Sequence, residues 1–204
     1  LGFDLAFKYN NPAIILADGI IGQMMEKVVL PPFRPRRTEE EIRKQMPWAT
    51  QGKLAGHKRN VITSLELDPA IMEENNIRFQ AKYRKIEEAE VRYEEIGCEN
   101  ADYLMIAFGS MARICLKTQE MALAEGIKVG VLRPITLWPF PSKIIAEYAN
   151  KVKGMISVEL NAGQMVEDIR LAVNGKVKVE HFGRLGGIVP TPDEVLNALK
   201  QKLM

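Results

Sequence analysis

The chain has 204 residues, of which 47% are hydrophobic and 26% charged, a balance that is ordinary for a soluble globular protein of one large domain or two small ones. Its formal net charge of +2 gives no global field for binding nucleic acid or a membrane surface, and no apolar run approaches the roughly 18 residues of a membrane helix. The two cysteines, Cys98 and Cys115, lie far from any histidine cluster, so we expect no metal site in the chain and a reducing, cytoplasmic location.

The first residues predict the end of a helix. Leu1 and Leu5 fall on one side of residues 1–8, and a turn follows at residues 10–12. Asp4 and the lack of a basic lead-in argue against a secretory signal. Because the sequence opens inside a helical pattern and without a methionine, we expect further residues to precede it in the natural protein.

A short apolar run at residues 13–17 predicts a buried strand of a parallel sheet. Asp18 ends the run, and the segment that follows, residues 20–28, would lie past the carboxyl end of the strand, where open α/β sheets bind ligands. Gly22 and Gln23 in this segment are therefore candidates for ligand contact. The alternative is a methionine-rich helix that packs into a core or a subunit interface.

Residues 31–60 form a basic linker. They hold eight Lys or Arg residues, at positions 34, 36, 37, 43, 44, 53, 58 and 59, against three acidic residues at 39–41. Thr38 and Glu41 have the spacing of a capping box, which predicts a helix start. The basic side chains either clamp a phosphate or an acidic partner, or belong to a solvated connector that wraps a neighbouring subunit.

A long helix is predicted from Asp68 and Pro69 to about Glu95. Apolar residues recur in it every seven positions, at Met72, Phe79, Ile86 and Tyr93. The helix is longer than a small domain needs, so we expect it to bridge domains or to pack on another chain.

Residues 97–204 alternate between strand and helix patterns. Strands are predicted at residues 103–108, 128–132, 155–160 and 176–182, and helices at 109–124, 142–150, 164–173 and from 191 onward. This alternation predicts a mostly parallel, doubly wound α/β sheet that is covered on both faces.

The turns after these strands fall on one edge of the sheet, where chemistry could take place. Helix starts at residues 109–110 and 161–163 could hold a phosphate, and a purely structural turn is the alternative. Glu159 either pairs with Arg133 or Arg184 across the edge, or is a partly solvated residue at the end of a strand.

A stiff, proline-rich loop at residues 133–141 presents bulky side chains and is suited to docking. The sequence shows no nucleophile with a base beside it, so we expect no catalytic residue in the chain. The candidate interface or anion-binding residues are Gly109, Ser110, Arg133, Trp138, Glu159, Asn161, Gln164 and Arg184.

Five motifs lie in order along the chain. They are Asp-Gly-Ile-Ile-Gly-Gln-Met-Met-Glu at 18–26, Glu-Val-Arg-Tyr-Glu-Glu at 90–95, Arg-Pro-Ile-Thr-Leu-Trp-Pro-Phe-Pro at 133–141, Glu-Leu-Asn-Ala-Gly-Gln-Met-Val-Glu-Asp at 159–168 and Gly-Arg-Leu-Gly-Gly at 183–187. Together they resemble the alpha subunit of 2-oxoacid:ferredoxin oxidoreductases, in its 2-oxoisovalerate (3-methyl-2-oxobutanoate) branch, and the resemblance covers the whole chain.

The resemblance implies an enzyme that oxidatively decarboxylates a 2-oxoacid to an acyl-CoA and passes the electrons to ferredoxin. It implies that residues 1–30 are the tail of a pyrimidine-binding thiamine diphosphate domain. Residues 31–96 would then be a linker with a long helix, and residues 97–204 a transketolase C-terminal-like domain. Asp18, Gly22 and Gln23 would form one wall of the thiamine cavity.

The resemblance also implies partners. Thiamine diphosphate with Mg²⁺ and iron–sulfur clusters would belong to the intact complex, held mainly by residues before Leu1 and by beta-, gamma- and delta-type subunits, so we expect none of them in this chain. The chain would supply subunit interface, associate with itself and be inactive alone. Two alternatives remain at this point: a free-standing doubly wound module that binds a nucleotide or CoA, and a scaffolding segment without redox chemistry.

Overall fold

A computed structural model describes residues 1–50, 52 and 56–204, so Lys53 of the basic linker lies outside the described residues. The chain divides into two compact units, one made of residues 1–24 and 81–204 and the other of residues 25–80. Within the described residues, no helix is both long enough and apolar enough to span a bilayer.

The first unit is built on a five-stranded sheet. Its strands are β1 (Tyr93–Ile96), β2 (Tyr103–Ile106), β3 (Val129–Pro134), β4 (Gly154–Glu159) and β5 (Lys178–Gly183). They lie in the order β1-β3-β2-β4-β5. The edge strand β1 runs antiparallel to β3, and the remaining pairs are parallel.

Eight helices are described. They are α1 (Gly2–Tyr9), α2 (Gly19–Gln23), α3 (Glu39–Gln45), α4 (Pro69–Ala89), α5 (Gly109–Ala124), α6 (Ser142–Tyr148), α7 (Met165–Val173) and α8 (Pro192–Leu203). The predicted capping box of Thr38 and Glu41 at the start of α3 is confirmed. Thr191, which was predicted to start the last helix, forms a second capping box with Glu194.

The sheet is covered on both faces, as predicted for a doubly wound fold. Helices α5 and α8 pack together on one face, over a core that includes Met105, Val131 and Leu199. Helices α6 and α7 pack together on the other, over a core that includes Leu104, Leu132 and Ile169. The mostly parallel α/β fold is thus confirmed.

The order of the strands creates a switch point between β2 and β4. From β2 the chain passes through α5 to β3 on one side, and it then crosses back through α6 to β4 on the other side. In open α/β sheets, the crevice at the carboxyl ends of two such strands is where ligands bind. The same crevice receives the starts of α5 and α7.

The long helix is shorter than the sequence predicted. It ends at Ala89 instead of continuing to about Glu95, and Tyr93 lies in the antiparallel strand β1, opposite Pro134. The seven-residue spacing misled the prediction, because Tyr93 continues the apolar stripe by position alone. Instead, the backbone amides of residues 135 and 136 donate hydrogen bonds to the carbonyl of Arg92, and the chain joins the sheet at this point.

The prediction of a strand at residues 13–17 is wrong. These residues adopt no regular structure, and Ile14 and Ile15 are each more than four-fifths exposed. A fully apolar strand needs neighbours on both faces, and none of the described strands pairs with this run. The segment 20–28 is helical only to Gln23, at the end of α2.

A buried carboxylate attaches α1 to the rest of the first unit. Glu90, which is 4% exposed, accepts hydrogen bonds from Lys8 Nζ and Tyr9 Oη, both at 2.7 Å, and from Arg92 Nη2 at 2.9 Å. The hydrogen bond from Lys8, followed by those from Tyr9 and Arg92, lowers the pKa of Glu90 from its usual 4.5 to about 2.

We expect acid to release α1. A carboxyl whose pKa is depressed in the folded state contributes stability above its ordinary pKa and loses that contribution as the pH falls towards the folded value. Amide chemical shifts of α1, followed by NMR from about pH 6 downwards, should therefore change between about pH 4.5 and 2.

In Glu90→Gln, the amide chemical shifts of α1 should show no such change between about pH 4.5 and 2. The control is Glu88→Gln, which changes an exposed carboxylate in the last turn of α4, two residues before Glu90, and should preserve the transition. An unaltered acid transition in Glu90→Gln would assign it to another group.

Candidate functional site

The candidate site lies at the switch point, where β2 and β4 end and α5 and α7 begin. A cavity of about 190 Å³ occupies this crevice. Residues 108 and 111 line it beside β2 and α5, residues 158–161 line it at the end of β4, and residues 16–18 of the N-terminal segment form a further wall. Most of these side chains are apolar, and two carboxylates, Asp18 and Glu159, are among them.

Glu159 supplies the carboxylate for the start of α7. Its side chain is buried and accepts hydrogen bonds from Ser157 Oγ at 2.7 Å and from the amides of residues 164, 165 and 166 at 3.1, 2.9 and 3.0 Å. Burial by itself would raise the pKa of Glu159, but these donors outweigh it and the pKa is lowered. An ionised carboxylate at this position also complements the positive end of the helix dipole.

The pairing predicted for Glu159 is wrong, and so is its partial solvation. Arg133 Nη1 lies 2.8 Å from Glu94 on the neighbouring strand β1, and Arg184 Nη1 lies 2.8 Å from Glu194 of α8. Three backbone amides and a hydroxyl already surround Glu159, so it needs no arginine to remain charged in the interior.

Asp18 supplies the carboxylate for the start of α5. Its Oδ2 accepts the amide of Ser110 at 3.0 Å, while its Oδ1 accepts the amide of Ile21 at 2.8 Å and so caps α2. Burial opposes ionisation of Asp18, but the donors of Ile21 and Ser110 prevail and the pKa of this carboxyl is lowered. Neither carboxylate at this edge is thus suited to act as a proton donor at neutral pH.

Six of the predicted residues meet at this edge, and Asp18 and Glu159 are two of them. Gly109 and Ser110 begin α5, and Asn161 and Gln164 lie in the turn between Glu159 and α7. The Asn161 side chain accepts the amide of Gly163 at 2.7 Å. The two helix starts that were candidates for holding a phosphate carry carboxylates of the chain itself.

The other predicted residues lie away from the cavity lining. Gly22 and Gln23 are exposed at the end of α2. Trp138 is half-exposed in the proline-rich loop, and its ring makes an edge-to-face contact with Tyr83 at a centroid distance of 5.8 Å. Arg133 and Arg184 are held in the ion pairs described above.

Sequence reasoning missed His181. Strand β5 places it opposite Ser157 of β4, and its Nε2 lies 3.9 Å from Glu159 Oε1. The residues involved are more than twenty positions apart, so only the register of the two strands brings them together. The apolar lining residues Phe108 and Met111 were also missed, because their position on the cavity follows from the placement of β2 and α5 in the sheet and has no local signal.

Known proteins resemble most of the chain. Residues 101–195 match the model of pyruvate:ferredoxin oxidoreductase core domain II. A ketoisovalerate oxidoreductase subunit VorB of Methanothermobacter thermautotrophicus is 44% identical over 98% of this chain and 54% of its own length. The chain is a homologue of these oxidoreductase subunits. The family resemblance inferred from the five motifs is thus confirmed.

Two further comparisons give one more similar sequence and one similar fold. A 2-oxoglutarate synthase subunit KorA of Methanothermobacter marburgensis is 28% identical over 97% of this chain and 58% of its own length. A 2-oxoglutarate:ferredoxin oxidoreductase from Magnetococcus marinus has a similar fold, with a TM-score of 0.57 and 23% identity over 68% of this chain and 24% of that one. The chain spans little more than half the length of the curated relatives it matches.

The carboxylate of Glu159 should be a major contributor to the stability of this homologue. In Glu159→Gln the amide group would bring its own N–H donors towards backbone N–H groups, which leaves buried donors unpaired. We expect the free energy of unfolding, measured by urea denaturation, to fall by about 2 kcal/mol or more.

The matched control is Glu167→Gln, because Glu167 is exposed on the same helix α7 and pairs with Arg170 at the surface. This change should alter the free energy of unfolding by less than about 0.5 kcal/mol. Equal effects of the two substitutions would show that Glu159 has no special role.

Proposed function

We propose that the chain is part of the alpha subunit of a 2-oxoacid:ferredoxin oxidoreductase that converts a branched-chain 2-oxoacid to an acyl-CoA and passes electrons to ferredoxin. The observation that carries the proposal is the 44% identity to a ketoisovalerate oxidoreductase subunit over 98% of the chain. The identity to 2-oxoglutarate synthase subunits is lower, at 26% to 30%, and this difference supports the branched-chain substrate.

In this proposal the chain mainly supplies subunit interface. Its relatives are named as subunits, which supports partner subunits for this chain as well. We assign beta-, gamma- and delta-type partners in one cytoplasmic complex, with ferredoxin and CoA as further partners of the holoenzyme.

The described residues do not fit the diphosphate of a thiamine cofactor. The amides that would bind it at the starts of α5 and α7 are already paired with Asp18 and Glu159. We therefore place thiamine diphosphate, Mg²⁺ and the iron–sulfur clusters mainly on other parts of the complex. Gln23, whose side chain is exposed, is available for one wall of the thiamine cavity, next to Gly22.

The exposed apolar run at residues 13–17 supports the proposed division into domains. Ile14, Ile15 and Leu16 are each at least two-thirds exposed, although a fully apolar strand is normally covered on both faces. We propose that residues 1–30 are the tail of a pyrimidine-binding domain whose sheet covers this run. Alone, the chain should self-associate through it, which sedimentation velocity measures.

The free-standing nucleotide- or CoA-binding module is not favoured. The phosphates of a nucleotide or CoA would need to bind amides at the helix starts of the switch point. Asp18 and Glu159 already accept hydrogen bonds from amides there. A scaffolding segment without redox chemistry is also not favoured, because the relatives are named as oxidoreductase or synthase subunits.

Reconstitution tests the proposed activity. The full-length subunit, purified with its partners, should reduce ferredoxin when both CoA and 3-methyl-2-oxobutanoate are present. It should turn over 2-oxoglutarate and pyruvate more slowly, whereas the 204-residue chain alone should be inactive. A preference for 2-oxoglutarate would contradict the proposed branched-chain substrate. Turnover by the 204-residue chain alone would contradict the proposed interface role.

Gln23→Ala tests the wall of the thiamine cavity within the same complex. We expect a lower turnover and a higher concentration of thiamine diphosphate for half-maximal activation, because an exposed amide that contacts the cofactor would be lost. The matched control is Gln201→Ala, which removes an exposed amide from α8. Equal behaviour of the two variants would remove Gln23 from the site.

A further inference from the structure

One carboxylate serves two helices that are far apart in the sequence. Asp18 Oδ1 accepts the amide of Ile21 within α2, and Asp18 Oδ2 accepts the amide of Ser110 in α5, 92 residues away. The first bond is an ordinary N-cap. The second is a tertiary contact that ties the N-terminal segment to the carboxyl edge of the sheet.

Helix α5 has no capping side chain of its own at its start, and the Asp18 carboxylate takes this place. Its own N-cap residue is Phe108, which has no side-chain group to cap the helix. Gly109 follows with a φ of +60°, and a Cβ at this position would lie 3.1 Å from Asp18 Oδ2. Asp18 therefore supplies the cap that α5 lacks, and glycine at position 109 leaves room for it.

The contact also closes the crevice at the switch point. Leu16 and Ala17, which directly precede Asp18, form one wall of the cavity of about 190 Å³ between β2 and β4. Glu159 also lines the cavity, and its carboxylate accepts the amides at the start of α7. While Asp18 is in place, the crevice is walled by the chain itself, and both helix starts beside it carry a carboxylate.

We propose that Asp18 is a latch, a residue that holds residues 16–23 closed over the switch-point crevice through the start of α5. The latch is a property of the fold and goes beyond the proposed function. It gives the N-terminal segment a fixed place on the sheet edge, which an ordinary N-cap of α2 alone would not provide.

Asp18→Ser separates the latch from the local cap. Serine is a favoured N-cap, so it can still accept the amide of Ile21, but its shorter side chain does not reach Ser110. Hydrogen exchange of the full-length subunit should show the Ser110 amide and residues 19–23 exchanging at least about tenfold faster than in the unchanged subunit. Amides of the central strand β2 should keep their protection.

Gly109→Ala tests the same latch from the other side. Its Cβ would press on Asp18 Oδ2, so residues 19–23 should loosen as they do in Asp18→Ser. The double variant should add little to either single change, because both break one contact.

Asp193→Asn is the control, since Asp193 is an exposed acid in the first turn of α8. It should leave exchange at residues 19–23 unchanged. The proposal is overturned if residues 19–23 stay as protected in Asp18→Ser as in the unchanged subunit, or if the effects of Asp18→Ser and Gly109→Ala simply add.

Discussion

The structure of the first unit depends on how the positive ends of two helices are neutralised at one edge of a parallel sheet. A doubly wound fold directs the starts of α5 and α7 into the crevice between β2 and β4, and each helix start presents amide donors without partners inside the helix. Here Glu159 and Asp18 occupy both starts. The feature that commonly makes this crevice a binding site for anions therefore serves to assemble the chain.

The two carboxylates differ in what they hold together. Glu159 lies at the end of β4 and reaches amides five to seven residues further along the chain, so it stabilises a local strand-to-helix turn. Asp18 joins segments that are distant in sequence, and Glu90 does the same for α1 through Lys8 and Tyr9. The ammonium group of Lys82 adds hydrogen bonds to Asn10 O and Asn11 Oδ1. The N-terminal segment is thus attached to the rest of the unit largely through charged side chains.

The sheet of residues 97–204 could be predicted because each strand and helix carries its own pattern. Apolar runs of five or six residues alternate with helical segments and turn residues, and local propensity agrees with the tertiary environment. Strand β1 could not be predicted in this way, because Tyr93 extends the apolar spacing of α4 and only pairing with β3 decides its conformation. The run at residues 13–17 failed for the opposite reason, since its local pattern is that of a strand but the described chain offers it no neighbour.

The sequence predicted where the candidate site lies, but it did not predict which contacts its residues make. The rule that chemistry collects at the carboxyl ends of parallel strands placed Gly109, Ser110, Glu159 and Asn161 at one edge. The hydrogen-bond partners of these groups could not be predicted from the sequence. Glu159, for example, is stabilised by backbone amides, and every residue type except proline carries such an amide. Only the local half of the Asp18 contact has a signal in the sequence, the spacing of an N-cap before Ile21.

These contacts bear on why a chain with a complete sheet domain would be only part of an enzyme. A carboxylate with a lowered pKa and several donors is a good structural anchor and a poor proton donor, so the two charges at the crevice of this unit are committed to holding segments in place. The exposed apolar run directly before Asp18 is anchored at one end by the latch and still lacks a cover. Exposed apolar patches of this kind mark surfaces on which another sheet or subunit packs, and this is what the proposed interface role requires.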